Sequence, residues 1–414
     1  MSTSQLILGF AAGVLMLSLL AYVLGRRRAL SVAGGERALH SRSGFYGWYA
    51  VVLMAAPAIG VALLAALLDL LGWVRAPAPL VLAAALALAA GGLWGSLWTI
   101  RPGLRARNIV EGVARWLLFT AALISILTTL GILLSILFEA IRFFQMEDFW
   151  YFITGTTWSP DSAFLGGAGR GMEEASDAKF GSVPLFAGTF MITAIAMAVA
   201  LPVGLLSAIF LSEYASQRVR GALKPALEVL AGIPTVVYGF FAAVTVAPLV
   251  VNVAQGLGLS ASYENALTPG IVMGIMIIPF VSSLSDDVIS SIPMSMREGS
   301  YALGATTSET IKYVLLSAAL PGVVSAFILG VSRALGETMI VVMAAGLRAN
   351  LTANPLDSMT TVTVHIVDLL TGDQEFDSAV TLSAFALGLV LFVVTLVLNT
   401  AALKIVRRFH EKYE

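Results

Sequence analysis

Residues 297–346 read REGSYALGATTSETIKYVLLSAALPGVVSAFILGVSRALGETMIVVMAAG. A polar, amphipathic segment runs directly into a long apolar one. From about Gly322 to Gly346 nearly every residue is apolar, which is long enough to cross a bilayer. Arg333 and Glu337 lie inside that stretch. A charge near the bilayer centre costs roughly 2.5–3.5 kcal/mol on insertion scales, so charges there are rare and usually functional. Four residues apart on one helix, the two share a face and can touch. Ala326, Gly330, Ala334 and Thr338 recur every four residues and form a small-residue stripe suited to close helix packing. The expectation is a central membrane helix whose charges face protein or a water-filled path. Spacing alone supports a structural ion pair and a functional one equally.

The rest of the chain has the same character. Of 414 residues, 58% are hydrophobic and 12% charged, and mean hydropathy is +0.90. That composition excludes an ordinary soluble domain and indicates an all-α polytopic membrane protein. There are no cysteines, hence no disulfide, thiolate metal site or cysteine nucleophile. His40, His365 and His410 are scattered rather than clustered like metal ligands. No GxxxxGK[ST] stretch offers an ATP site, and no grouping of catalytic residues stands out. Net charge is −1, with basic residues in short loops, which argues against nucleic acid.

Apolar runs at 5–25, 48–73, 79–100, 116–140, 188–212, 227–252, 269–289, 322–347 and 379–404 predict nine membrane helices. The first has no basic segment before it and is followed by Arg26, Arg27 and Arg28, so it reads as a retained helix. Lys and Arg concentrate in alternate loops, around 26–42, 101–115, 218–224 and 297–312, and at 404–412. Nine helices put all five clusters on one side. By the positive-inside rule that side is the cytoplasm, with the N-terminus outside and the C-terminus inside.

The three helices within 1–100 are mostly Ala, Leu and Gly and form an expected N-terminal membrane extension. A cytoplasmic linker at 101–115 precedes the working core, 116–414. A long loop at 141–187 holds Trp150, Tyr151 and Trp158 and suits an interfacial belt or a docking surface. Its GGAGRG, 166–171, lacks the strand and helix that flank a phosphate loop and reads as a turn.

Within the core, 228–240 reads EVLAGIPTVVYGF. Pro234 permits a kink, and broken helices can expose backbone groups to a substrate. Thr235 and Tyr238 would add hydroxyls to such a path, although a plain packing kink fits equally. Pro279, with Ser282, Ser283 and Ser285, repeats the pattern more weakly. Asp286 and Asp287 fall near the helix end and read as a solvated terminus. Residues 290–317 suit two short helices lying across the membrane face and broken near Gly304, either docked into a partner's groove or resting on lipid.

Glu298, Gly299 and Ser300, then Gly304, then nine residues to Val314, Leu316 and Ser317, resemble the coupling motif of ABC importer permeases. Gly299 and Ser300 stand where the motif has alanines, and Ser317 where it has proline. Together with LAGIPTVVYG and SRALGETMIVVMAAG, residues from about 108 onward resemble the permeases of phosphate importers, and the PstC type in particular. The resemblance implies a six-helix type I ABC importer permease core preceded by three extra transmembrane helices. It implies a bacterial cytoplasmic membrane location, a PstA-like second permease, two PstB-like ATPase subunits holding ATP–Mg, and a periplasmic PstS-like phosphate-binding protein. This chain itself would bind no cofactor and catalyse no reaction. Glu298, Tyr301, Ala302, Leu303 and Gly304 would contact the ATPase. Arg333 and Glu337 match the family's intramembrane charged pair and, with Thr338, Thr235 and Tyr238, would line the path. Two rivals stay open: a permease for another oxyanion such as sulfate, molybdate or phosphonate, and an ion-gradient-driven secondary transporter.

Overall fold

The computed structural model describes residues 3–73, 77–160, 179–371 and 377–410. The GGAGRG turn lies outside them. The chain divides into two compact units, Met1–Gly131 and Ile132–Glu414.

The first unit is built on α1 (Thr3–Ala33), α2 (Ser43–Leu70) and α3 (Ala78–Thr99). Its core is made of small residues: Ala21, Ala50, Ala58, Ala85 and Ala89 pack around Met54. Small residues let the helix backbones approach, which is how membrane helices associate when burying apolar surface gains nothing over lipid. Gly92 shows the closeness: a Cβ there would sit 2.1 Å from the Leu53 carbonyl oxygen. Tyr46 is fully buried and donates to the carbonyls of Pro102 and Leu104, at 3.2 and 2.9 Å. The expected linker at 101–115 is shorter than its charge suggested. Only 100–105 is non-helical, and Arg107 and Arg115 already belong to α4 (Ala106–Met146). At 41 residues, α4 is about 60 Å long, twice the hydrocarbon core.

The second unit contains α5 (Phe149–Thr154), α6 (Val183–Tyr214), α7 (Gln217–Ala231), α8 (Thr235–Gly256), α9 (Leu267–Ser291), α10 (Met294–Ala302), α11 (Thr307–Leu335), α12 (Met339–Ala344), α13 (Val362–Thr371) and α14 (Ala379–His410). Its only described strands, β1 (Trp158–Ser159) and β2 (Lys179–Phe180), pair antiparallel. Phe143, Phe152, Trp158 and Phe180 pack edge-on around this hairpin, ring centroids 5.3–6.5 Å apart. The central pair is α6 and α9. Ile192, Ala196, Met197, Met273 and Ile277 interleave, and a Cβ on Gly274 would meet the Ala196 carbonyl at 2.8 Å.

Eight described helices are long and apolar enough to cross a membrane. The ninth expected span, 5–25, is an uncharged run inside α1. Two expected spans are cut shorter. The 227–252 run is not one kinked helix: α7 ends at Ala231 and α8 starts at Thr235, with Pro234 as its N-cap. Proline lacks the N–H that would continue the ladder and pushes the preceding residue out of the helical region. The 322–347 run is likewise broken, at Gly336–Thr338. Pro279, by contrast, lies inside an unbroken α9.

Candidate functional site

The break in 322–347 rearranges the charged pair. Arg333 lies in the last turn of α11, which closes with Gly336 as its cap. The Glu337 backbone N–H returns to the Ala334 carbonyl at 3.2 Å. The Glu337 side chain turns forward and accepts from the N–H groups of Met339 and Ile340 at 3.1 and 3.4 Å. It therefore caps α12, satisfying amides that a helix start leaves without partners. Among the described residues no ion pair joins Arg333 to Glu337, contrary to the expected contact: with the helix broken between them, i and i+4 no longer share a face. Arg333 is exposed, and its guanidinium lies over the Phe280 ring, 5.7 Å from the centroid. A cation over an aromatic face keeps all its N–H donors available at the edges.

The break is held in place by neighbours. Thr363 donates to the Glu337 carbonyl at 3.0 Å, and Thr361 and Thr363 hydroxyls lie 3.0 Å apart. The small-residue stripe packs as expected over three positions: Ala326, Gly330 and Ala334 are buried, with Gly330 facing Met197 and Val281. Thr338 instead forms the half-buried N-cap of α12. Tyr238 shares a packed cluster with Ala334, Ile340 and Val341, so α8 is brought to the break. Its hydroxyl proton is committed, however, donated to the Leu230 carbonyl at 3.0 Å. Thr235 is half-buried in the first turn of α8, and no hydrogen bond joins it to Arg333 or Glu337 among the described residues. Ser282 and Ser285 are fully packed in the core and line no accessible path in this conformation; Ser283 is half-buried.

At one end of the bundle, α10 starts after Pro293 and stops at Gly304, whose φ of 85° favours glycine. Glu298, Tyr301, Ala302, Leu303 and Gly304 are all exposed, Leu303 at 91%. Leu303 and Tyr301 are thus open apolar side chains beside the Glu298 carboxylate. The second short helix expected here is instead the first turn of α11. Thr306 and Glu309 form a reciprocal capping box, and the chain continues through a π-helical turn, Thr310–Leu315, into the membrane helix. Ile311 and Leu315 turn inward to pack with Ala208, Ile289 and Ala319 rather than outward. Ser317 carries the backbone N–H that the motif's proline lacks, and the helix runs through it without a break.

Two charged clusters in this unit were not legible in the sequence. Asp286 is 1% exposed and takes both contacts of Arg220 Nη2 at 3.0 Å and Lys224 Nζ at 2.9 Å, tying α7 to α9. It is a buried anchor and not the solvated terminus expected; Asp287, 64% exposed, is solvated. The hydrogen bond from the Lys224 ammonium to Asp286 raises the Lys224 pKa above its ordinary value. The second cluster is Glu213 with Arg297, paired at 2.8 Å.

These features define a multi-pass membrane protein with a broken central helix and a short, exposed helix at one end of the bundle. The binding-protein-dependent transport system inner membrane component family matches residues 200–411, and a phosphate ATP-binding cassette transporter family matches residues 11–71. The chain belongs to the first of these: it is a membrane permease subunit of an ABC transporter. It is 34% identical over 318 residues to the phosphate transport system permease protein PstC 1 of Mycobacterium tuberculosis, covering 71% of this chain and 92% of that one. It is also 34% identical over 294 residues to a probable ABC transporter permease protein, YqgH, of Bacillus subtilis, covering 70% and 87%. A crystal structure of a bacterial ABC transporter that imports the acidic polysaccharide alginate aligns over 73% of this chain and 99% of that one. Its TM-score is 0.49, at 18% identity.

Proposed function

We propose that this chain is the PstC-type permease of an ATP-driven phosphate importer in a bacterial cytoplasmic membrane, N-terminus outside and C-terminus inside. The observation that carries the reading is the likeness to phosphate permeases across most of their length, joined to the phosphate-transporter match in the first 71 residues. The exposed Arg333 supports it chemically. A guanidinium offers fork-shaped donors to two phosphate oxygens, and its seat over Phe280 leaves that fork open. Glu337 acts indirectly: it fixes the start of α12, and so holds the break that places Arg333 at a helix end. Its nearby negative charge also keeps anion binding weak enough for release. Thr338, Thr235 and Tyr238 line the same region, Tyr238 through its ring and hydroxyl oxygen.

The chain pairs with a PstA-like permease to complete the path, and two PstB-like subunits bind and hydrolyse ATP–Mg. A PstS-like protein delivers phosphate from outside. The face made by Glu298, Tyr301, Ala302, Leu303 and Gly304 seats in an ATPase subunit, so ATP-driven closure moves α10 and rocks the core. The test is ATP hydrolysis by the reconstituted complex with phosphate-loaded binding protein. Stimulation by the phosphate-loaded form, and none by sulfate with a sulfate-binding protein, is expected. Stimulation by the sulfate pair alone would keep the architecture and overturn the substrate.

A further inference from the structure

One guanidinium joins three elements at the end of the bundle that carries α10. Arg297 lies on α10, one residue before the exposed Glu298, but points the other way. Its Nη2 donates to Glu213 Oε1 at 2.8 Å and to the Ile289 carbonyl at 2.9 Å. Its Nη1 donates to the Ile292 carbonyl at 2.7 Å. Glu213 sits in the π-helical turn Phe210–Tyr214 that ends α6, and Ser212 donates to the same carboxylate oxygen at 3.0 Å. Ile289 is in the last turn of α9 and Ile292 is its cap. The two side chains are 12% and 8% exposed, so solvent screens the pair little. Cations are favoured at helix C-terminal carbonyls, and the carboxylate completes the site.

We infer that Glu213 and Arg297 form a latch that transmits movement of α10 to the paired helices α6 and α9. This rests on the proposed function, in which an ATPase moves α10. The geometry supplies the route. A shift of α10 pulls on Arg297, which is bonded to the ends of both α6 and α9. Those helices pack as one body through Ala196, Met197 and Gly274. Met197 and Val281 in turn contact α11 at Gly330, one turn from Arg333. The α6 end is a π-helical turn, a geometry frequent at functional sites. A purely structural pair would stabilise the same fold without linking ATP use to transport. The two roles separate in the ratio of substrate moved to ATP consumed.

The experiment compares Glu213→Gln and Arg297→Lys with the unaltered complex, reconstituted with its partners in vesicles. Complex assembly, ATP hydrolysis and labelled phosphate uptake are measured on the same preparation. Glu213→Gln keeps the shape and an acceptor but removes the charge; Arg297→Lys keeps the charge but cannot reach all three acceptors. The latch predicts normal assembly and sustained ATP hydrolysis in both variants, with phosphate moved per ATP lower by about tenfold, the size of a typical coupling energy. Glu213→Asp is expected to restore part of the ratio. Uptake and hydrolysis falling in proportion would overturn the latch, as would an unchanged ratio, or loss of assembly in both variants. An unaltered complex that hydrolyses ATP but takes up no phosphate would overturn the proposed function instead.

Discussion

Replacing Asp286 by Asn tests the buried anchor. The Asp286 carboxylate is 1% exposed and holds Arg220 with both oxygens and Lys224 with one. Asn keeps the shape but turns an NH2 donor toward cations that are themselves donors. Removing one partner of a buried ion pair costs about 3–5 kcal/mol. The Arg220 and Lys224 side chains are 33% and 30% exposed, so both rehydrate in part. That lowers the expected loss to about 2–3 kcal/mol. For a unit spanning Ile132–Glu414, about 2 °C of melting temperature follows each kcal/mol, giving a shift of about 4–6 °C. Asp287→Asn is the control. Its carboxylate is 64% exposed with one contact to Lys224 at 3.1 Å, and an exposed pair is worth about 0–1 kcal/mol. The assay is intrinsic-fluorescence melting of the purified protein in one detergent. Equal shifts for the two variants, or no shift for Asp286→Asn, would refute the assignment of Asp286 as a buried anchor.

Further outcomes follow from the same geometry. Arg333→Lys keeps the charge and loses the fork, so phosphate uptake is expected to fall about tenfold, the worth of roughly one charge-assisted hydrogen bond, while binding-protein docking stays intact. Normal uptake by that variant would remove the bidentate contact from the account. Leu303→Asp places a charge on the exposed apolar face of α10 and is expected to weaken co-purification of the ATPase without lowering the melting temperature. Gly188→Val puts a Cβ 2.0 Å from the Thr360 carbonyl oxygen, so the chain is expected to lose folded yield or melt several degrees lower. Lys224 has a raised pKa, so its pairing stabilises the fold below the ordinary lysine value of about 10.4 and loses that contribution as pH rises through the raised one. Melting of the unaltered protein should therefore owe no pH dependence to this group between pH 7 and 9 and fall above about pH 10.4. Asp286→Asn should shrink that alkaline step, and what remains belongs to Asp287, which also holds Lys224.

The spans were legible because length and absence of charge alone specify a membrane helix, and 269–289 and 379–404 sit inside α9 and α14. The helix breaks were less so. Pro234 was visible, but whether a proline kinks or ends a helix depends on what receives the freed groups; Pro279 stays inside its helix and Pro234 does not. At Gly336 the side chain of Glu337 tips the balance, since it caps a new helix instead of reaching back to Arg333. The short exposed helix and its end at Gly304 were readable from their own residues, Glu298 through Gly304. The ion pairs were not, because Arg297 meets Glu213 across 84 residues and Asp286 meets Arg220 across 66. Local spacing carries no trace of such pairs. The only hint was a charge beside a membrane span, at Glu213 and at Asp286, the second of which reads at first as a solvated end.

The most direct test of the account is uptake of labelled phosphate into vesicles that contain this chain with a second permease, the ATPase subunits and the phosphate-binding protein. Uptake is expected to require ATP and to be left unchanged by excess sulfate. Uptake that proceeds without ATP would contradict the account.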